Sequence, residues 1–154
     1  MARHVEATHR IRIPLPIDRC QALFTPAGET LWVEGWAPEY LHPVTGETTA
    51  GMIFTTGSGD ERTFWVLVDY TQRPHRARYV RTTPTTRTGT VDVRCEQVDE
   101  QCTEVAVTYA MTALSDAGAQ ALDGFEGAAY ADMIESWKQA IEARLPALRM
   151  ADIR

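Results

Sequence analysis

The sequence predicts an α+β protein, in which a curved antiparallel sheet is covered by one long C-terminal helix and two short helices follow the first strand. Three observations predict this. From Leu122 the apolar residues recur at Phe125, Ala129, Met133, Trp137, Ile141, Leu145 and Leu148, in the steps of three or four that define one helix face. Val91, Val93 and Cys95 alternate with Asp92, Arg94 and Glu96, and Val105, Val107 and Tyr109 alternate with Glu104, Ala106 and Thr108. A three-residue loop at Asp99-Glu100-Gln101 sets Cys95 opposite Val105 and Val93 opposite Val107, so both apolar sets face one way. Finally, strands come in a run before the helix, which argues against a parallel doubly wound sheet.

The elements follow in order. Residues 4–13 alternate His9, Ile11 and Ile13 with Arg10 and Arg12, a strand ended by Pro14 and Pro16. Ile17 to Phe24 reads as a short helix with Asp18 at its cap or first turn, closed by Pro26 and Gly28. Residues 29–41 read as a second short helix or an ordered loop, and residues 42–50 as turns. Strands are expected at 52–56, 61–70, 75–83, 87–98 and 102–112, with a turn at Gly57-Ser58-Gly59-Asp60. In 61–70, Glu61 and Asp69 share one parity, which makes Phe64, Val66, Val68 and Tyr70 the expected inward set and leaves Trp65 and Leu67 outside. Ser115 suits an N-cap for the terminal helix, and Pro146 falls near its end. Gly124 and Gly127 lie within that helix and serve close packing, a bend or a portal.

A chain of 154 residues fits a single domain spanning 1–154, with enough core to fold without staples. Net charge is −6, which gives no electrostatic footprint for a general nucleic-acid binder. No stretch approaches the roughly 20 apolar residues of a membrane helix, and the charged N-terminus is unlike a signal peptide. A cytoplasmic protein without membrane insertion is expected. Cys20, Cys95 and Cys102 form no CxxC pair, and the four histidines show no ligand spacing, so no disulfide framework, metal or cofactor is expected. No GxSxG elbow, phosphate loop or dinucleotide fingerprint occurs.

The element order, with IPLPIDRCQALFTP after the first strand, GMIFTTGSGDERTFWVLVDY in the middle and YAMTALSDAG leading into the last helix, resembles the START-like superfamily. This superfamily is also called SRPBCC or birch-pollen-allergen-like, and the likeness is nearest its polyketide cyclase and lipid-transport branch. The resemblance covers roughly residues 5–148 and implies a helix-grip fold with a cavity between sheet and helix. It implies binding of lipids, sterols, polyketides or other apolar molecules, and in some members cyclisation or dehydration. It carries over no catalytic residue.

Within that frame the candidate ligand-binding residues are Trp36, Tyr40, Tyr79, Arg81, Tyr109, Met133 and Trp137. Trp32, Trp36 and Tyr40 are four apart and would form one stripe on a helix, as a cavity lid or as packing. Tyr79 and Arg81 share parity with Ala77. If that face is inward, Arg81 enters the cavity and can hold a ligand carboxylate or phosphate; otherwise it reaches solvent. Tyr109 faces inward by the hairpin register, and Met133 and Trp137 belong to the helix face that meets the sheet, as core or pocket wall. His42 with Glu34 or Glu39 is either an acid–base pair or a solvated loop. The leading reading is binding or transport of a small apolar ligand. One alternative is a cyclase or dehydratase in which Tyr109, Arg81 or His42 moves a proton. Another is a protein-interaction module, or a homodimer, using an outward Trp65 and Leu67.

Overall fold

Alternation of apolar and polar residues produces seven strands: β1 (His4–Ile13), β2 (Glu39–His42), β3 (Ile53–Thr56), β4 (Thr63–Gln72), β5 (His75–Thr83), β6 (Arg87–Asp99) and β7 (Cys102–Ala113). In the computed structural model, which describes residues 2–150, they form one antiparallel sheet in the order β1-β7-β6-β5-β4-β3-β2. The two helices α1 (Ile17–Ala22) and α2 (Pro26–Glu29) lie between β1 and β2, which occupy opposite edges of the sheet. The C-terminal helices are α3 (Asp116–Ala121), α4 (Gly127–Glu142) and α5 (Leu145–Met150). This is the helix-grip arrangement that the sequence resemblance implies.

The β6–β7 register matches expectation: Cys95 pairs with Val105 and Val93 with Val107. The loop is one residue shorter than expected, because Asp99 pairs with Cys102 across a bulge. The expected inward set of β4 is reversed before the bulge, whereas Tyr70 beyond it pairs with the buried Ala77 and packs against the core as expected. Thr63, Trp65 and Leu67 are buried, whereas Phe64 and Val68 are exposed. A bulge between Leu67 and Asp69 inserts one residue, so Asp69 does not report the parity of the residues before it. Glu61 lies in the 3-10 turn Gly59–Glu61 and not in the strand. Trp65 and Leu67 are therefore core, and the interaction-module reading loses the residues offered for it.

Pro26 and Gly28 do not close a helix; they build the next one. Thr25 caps α2 by accepting from the Gly28 N–H, and Pro26 occupies the first turn, where its missing N–H costs nothing. Asp18 lies in the first turn of α1, after a Pro16 cap. Trp32, Trp36 and Tyr40 do not share a helix: the first two sit on turns and Tyr40 lies on β2, a strand within the span read as loop.

The terminal helix is segmented. Ser115 caps α3, accepting from the Gly118 N–H, rather than the long helix. A 3-10 turn, Leu122–Phe125, and an extended Glu126 precede α4, which begins at Gly127 with φ +59°. That left-handed angle suits glycine, so Gly127 marks a break. Arg3 ties the break to β1 by donating to the Ala119 carbonyl and to the carboxylates of Asp123 and Glu126. Gly124 has open space where a Cβ would lie and is not a packing device. The buried face of α4 is Tyr130, Ile134 and Ile141, and Ala129 is exposed. Tyr130 donates to the Val107 carbonyl at 2.6 Å, which joins α4 to β7.

The close approach belongs to Gly118, where an added Cβ would stand 1.8 Å from the Thr86 carbonyl oxygen. Helix propensity alone favours alanine there by about 1 kcal/mol. The clash is with backbone and dominates, so Gly118→Ala is expected to lose about 3 kcal/mol or more. Urea unfolding checks this; an unchanged midpoint contradicts the packing described.

Candidate functional site

The sheet register places two rows of side chains on the inner face. One row runs Phe54, Trp65, Arg81, Gly89 and Met111, and the next runs Leu67, Tyr79, Val91 and Tyr109. Arg81 therefore enters the interior. Its guanidinium lies 4.7 Å from the Trp65 ring centroid and 5.9 Å from that of Phe125. Cation–π contacts of this kind stabilise a guanidinium only in part, and burial lowers the arginine's proton affinity. Among the described residues Arg81 makes no ion pair, and its Nε is buried without a hydrogen-bond partner. Arg87, on the same face, has Glu61 at 3.3 Å.

The Tyr109 hydroxyl stands beside Arg81. Burial raises its proton affinity, while the neighbouring guanidinium pulls the other way. The Tyr79 hydroxyl donates to the Phe24 carbonyl at 2.7 Å and is held well above the ordinary phenol range by burial, with a contribution from Glu29. Glu29, the last residue of α2, completes the group. Burial pushes its carboxyl up to about 8, and its charge is felt at both Tyr79 and Tyr109. Yet Glu29 is only half-buried. The backbone around it is fixed: the Glu29 N–H donates to the Thr25 carbonyl, and Gly28 packs against the Ala22 carbonyl, where a Cβ would lie 1.8 Å away.

Aromatic rings surround these polar groups. Trp36 contacts Phe54 and Trp65, and Phe54 and Trp65 both meet Tyr79 edge-on. Tyr109 stacks on Phe125 and contacts Tyr130 and Trp137. Of the expected residues, Trp36, Tyr79, Arg81, Tyr109 and Trp137 join this network. Met133 on α4 and Tyr40 on β2 are half-buried and pack against the core outside these ring contacts, the Tyr40 ring lying beside Gly46. His42 is exposed, as are Glu34 and Glu39, and Glu39 lies 4.0 Å from Arg62; no interior acid–base pair forms there. Sequence reasoning missed Glu29, Trp65 and Phe125. Only a prediction of the Leu67–Asp69 bulge would have exposed Trp65.

Two clefts flank the segment 33–37. One, of about 440 Å³, is bounded by Trp36, Thr56 and Ser58; the other, of about 310 Å³, by Trp32, Trp137 and Arg144. The Trp36 indole holds this segment by donating to the Pro26 carbonyl at 2.9 Å.

The fold is of the START-like, birch-pollen-allergen-like type. Norcoclaurine synthase from Thalictrum flavum, solved with dopamine and hydroxybenzaldehyde, superposes with a TM-score of 0.63 at 7% identity, covering 92% of this chain and 88% of that one. Ara h 8.0201 gives 0.66 at 11%, covering 94% and 99%. An uncharacterized protein from Rhizobium leguminosarum gives 0.66 at 14%, covering 93% and 97%. No family model and no curated protein matches the sequence. At these identities the likeness is one of fold. Among the described residues no helix is long and apolar enough to cross a membrane.

Proposed function

We propose that this protein binds a small, largely apolar ligand, lipid- or polyketide-like, between the sheet and α4, and that Arg81 holds an anionic group of that ligand. The observation that carries this reading is the interior guanidinium without an ion pair and with an unpartnered Nε. Buried arginines are ordinarily paired, and the planar fork matches a carboxylate in bidentate fashion. The aromatic network supplies the apolar walls of the proposed site. The cyclase or dehydratase reading keeps Tyr109 and Arg81 and drops His42.

Thermal-shift and calorimetric titration with 2-naphthoate, against 2-naphthamide, tests the reading. The acid is expected to raise the melting temperature, with about 2.7 kcal/mol of stabilisation at a hundredfold excess over its dissociation constant. The amide should have little effect. Equal responses to acid and amide, or none to either, would refute an anion site at Arg81.

A further inference from the structure

The β5–β6 register brings a second arginine to the anion site. Arg81 stands opposite Gly89, and Thr83 stands opposite Arg87, so Arg87 lies one diagonal step from Arg81 on the same inner face. Diagonal neighbours on adjacent strands have Cα atoms about 7–8 Å apart, which long side chains span. Arg87 is 9% exposed, and its Nε, like that of Arg81, is buried without a hydrogen-bond partner. The positive charge of Arg87 also adds to burial in lowering the proton affinity of Arg81. Among the described residues no carboxylate pairs with Arg81, and Glu61 alone pairs with Arg87, at 3.3 Å from one terminal nitrogen. Glu61 belongs to the 3-10 turn before β4, and its side chain is 70% exposed. It meets Arg87 from the rim and leaves the Nε–H groups of both arginines unspent.

One guanidinium suffices for a carboxylate. Two neighbouring guanidiniums, both buried and both with unused donors, match a group of higher charge with more acceptor oxygens. A phosphate monoester carries about two negative charges near pH 7 and three strong acceptor oxygens. Resting on the anion site at Arg81, we propose that the ligand is a phosphate monoester of an apolar alcohol, its dianionic phosphate held jointly by Arg81 and Arg87. The Nε–H of each arginine donates to a phosphate oxygen. The apolar part lies against Trp65 and Phe125, whose rings already contact Arg81. Glu61 gives up Arg87 when the phosphate arrives and turns to water, because two anions on one guanidinium repel. In the free protein it is a competitor for the site.

Calorimetric titration with 2-naphthyl phosphate, 2-naphthyl sulfate, 2-naphthoate and inorganic phosphate tests this. The phosphate ester is expected to bind about 10-fold or more tighter than the singly charged sulfate and carboxylate, and inorganic phosphate about 100-fold or more weaker than the ester. Arg87→Gln should reduce the phosphate ester to the affinity of the sulfate, while 2-naphthoate on Arg81 stays within about threefold of wild type. Glu61→Gln removes the competitor and should tighten binding of the phosphate ester about 3- to 10-fold. Glu61 is exposed, so this variant decides the matter even where Arg87→Gln fails to fold. Naphthoate bound with the phosphate ester no tighter, a phosphate preference that survives Arg87→Gln, or an affinity unchanged in Glu61→Gln overturns the joint phosphate site and leaves the anion site at Arg81 standing. Inorganic phosphate bound as tightly as the ester overturns the apolar alcohol. If none of the four binds, the anion site itself fails and this inference with it.

Discussion

Arg81→Met is expected to abolish high-affinity binding of 2-naphthoate while leaving the protein as stable as before, or more so. A purely structural residue would behave in the opposite way. The guanidinium sits in the interior, contacts the faces of Trp65 and Phe125, and has no carboxylate partner among the described residues. Desolvating a cation costs several kcal/mol, and two ring contacts return about 1–2 kcal/mol each at best. Methionine fills similar space without charge and favours aromatic neighbours. The substitution should therefore raise stability by about 1–3 kcal/mol, by analogy with buried ion groups replaced by apolar side chains. Binding should fall by about 2–4 kcal/mol, roughly 30- to 1,000-fold, because the ligand carboxylate then has no partner. Arg81→Lys should not restore it, since an ammonium lacks the planar fork and stacks less well on Trp65. Urea unfolding and calorimetry on the three proteins settle the matter. Lost stability with retained affinity would make Arg81 a structural residue.

Glu29→Gln is expected to stabilise the protein at alkaline pH and to flatten its stability against pH. In the folded protein burial raises the carboxyl from its ordinary 4.5 to about 8. Between those values the folded state holds a proton that the unfolded state has released. Unfolding then releases a proton, and stability falls as pH rises. The contribution of protonated Glu29 is fully present below about 4.5 and is lost as pH climbs through about 8. The slope is about 1.4 kcal/mol per pH unit, so the span costs on the order of 3–5 kcal/mol. The ionisable groups that feel the Glu29 charge are Tyr79 and Tyr109, both held above the ordinary phenol range by burial. They do not titrate in this window. The stability difference between wild type and Glu29→Gln, measured by urea unfolding from pH 5 to 9, should grow with pH in favour of glutamine. A pH-independent difference would place the carboxyl in water.

Much of the fold was legible because burial on one face leaves a simple record. The β6–β7 register followed from the alternation of Val93, Cys95, Val105 and Val107, which excludes a one-residue slip, together with the short loop between the strands. The parity that Tyr79 and Arg81 share with Ala77 was legible but left their face open between interior and solvent, and the burial of Ala77 and Tyr79 decides it. What misled the reading was local. A single extra residue at Val68 inverted β4, and nothing in a hydrophobic pattern marks a bulge. The break before α4 was hidden because Leu122, Phe125, Met133 and Trp137 keep helical spacing across it, although Gly127 carried the signal. Glu29 was passed over because a carboxylate next to Pro26 and Gly28 reads as a turn residue. Its burial is decided by Tyr79 and Tyr109, which lie 50 and 80 positions away.

The central claim is that Arg81 anchors an anion inside the sheet. A crystal structure of the complex with 6-bromo-2-naphthoate, its ring located by bromine anomalous scattering, tests this most directly. The carboxylate should lie within hydrogen-bond distance of the Arg81 guanidinium, with the ring among Trp65, Tyr109 and Phe125. Bromine found only in the surface clefts beside Trp36 or Arg144, with the interior closed around Arg81, would contradict it.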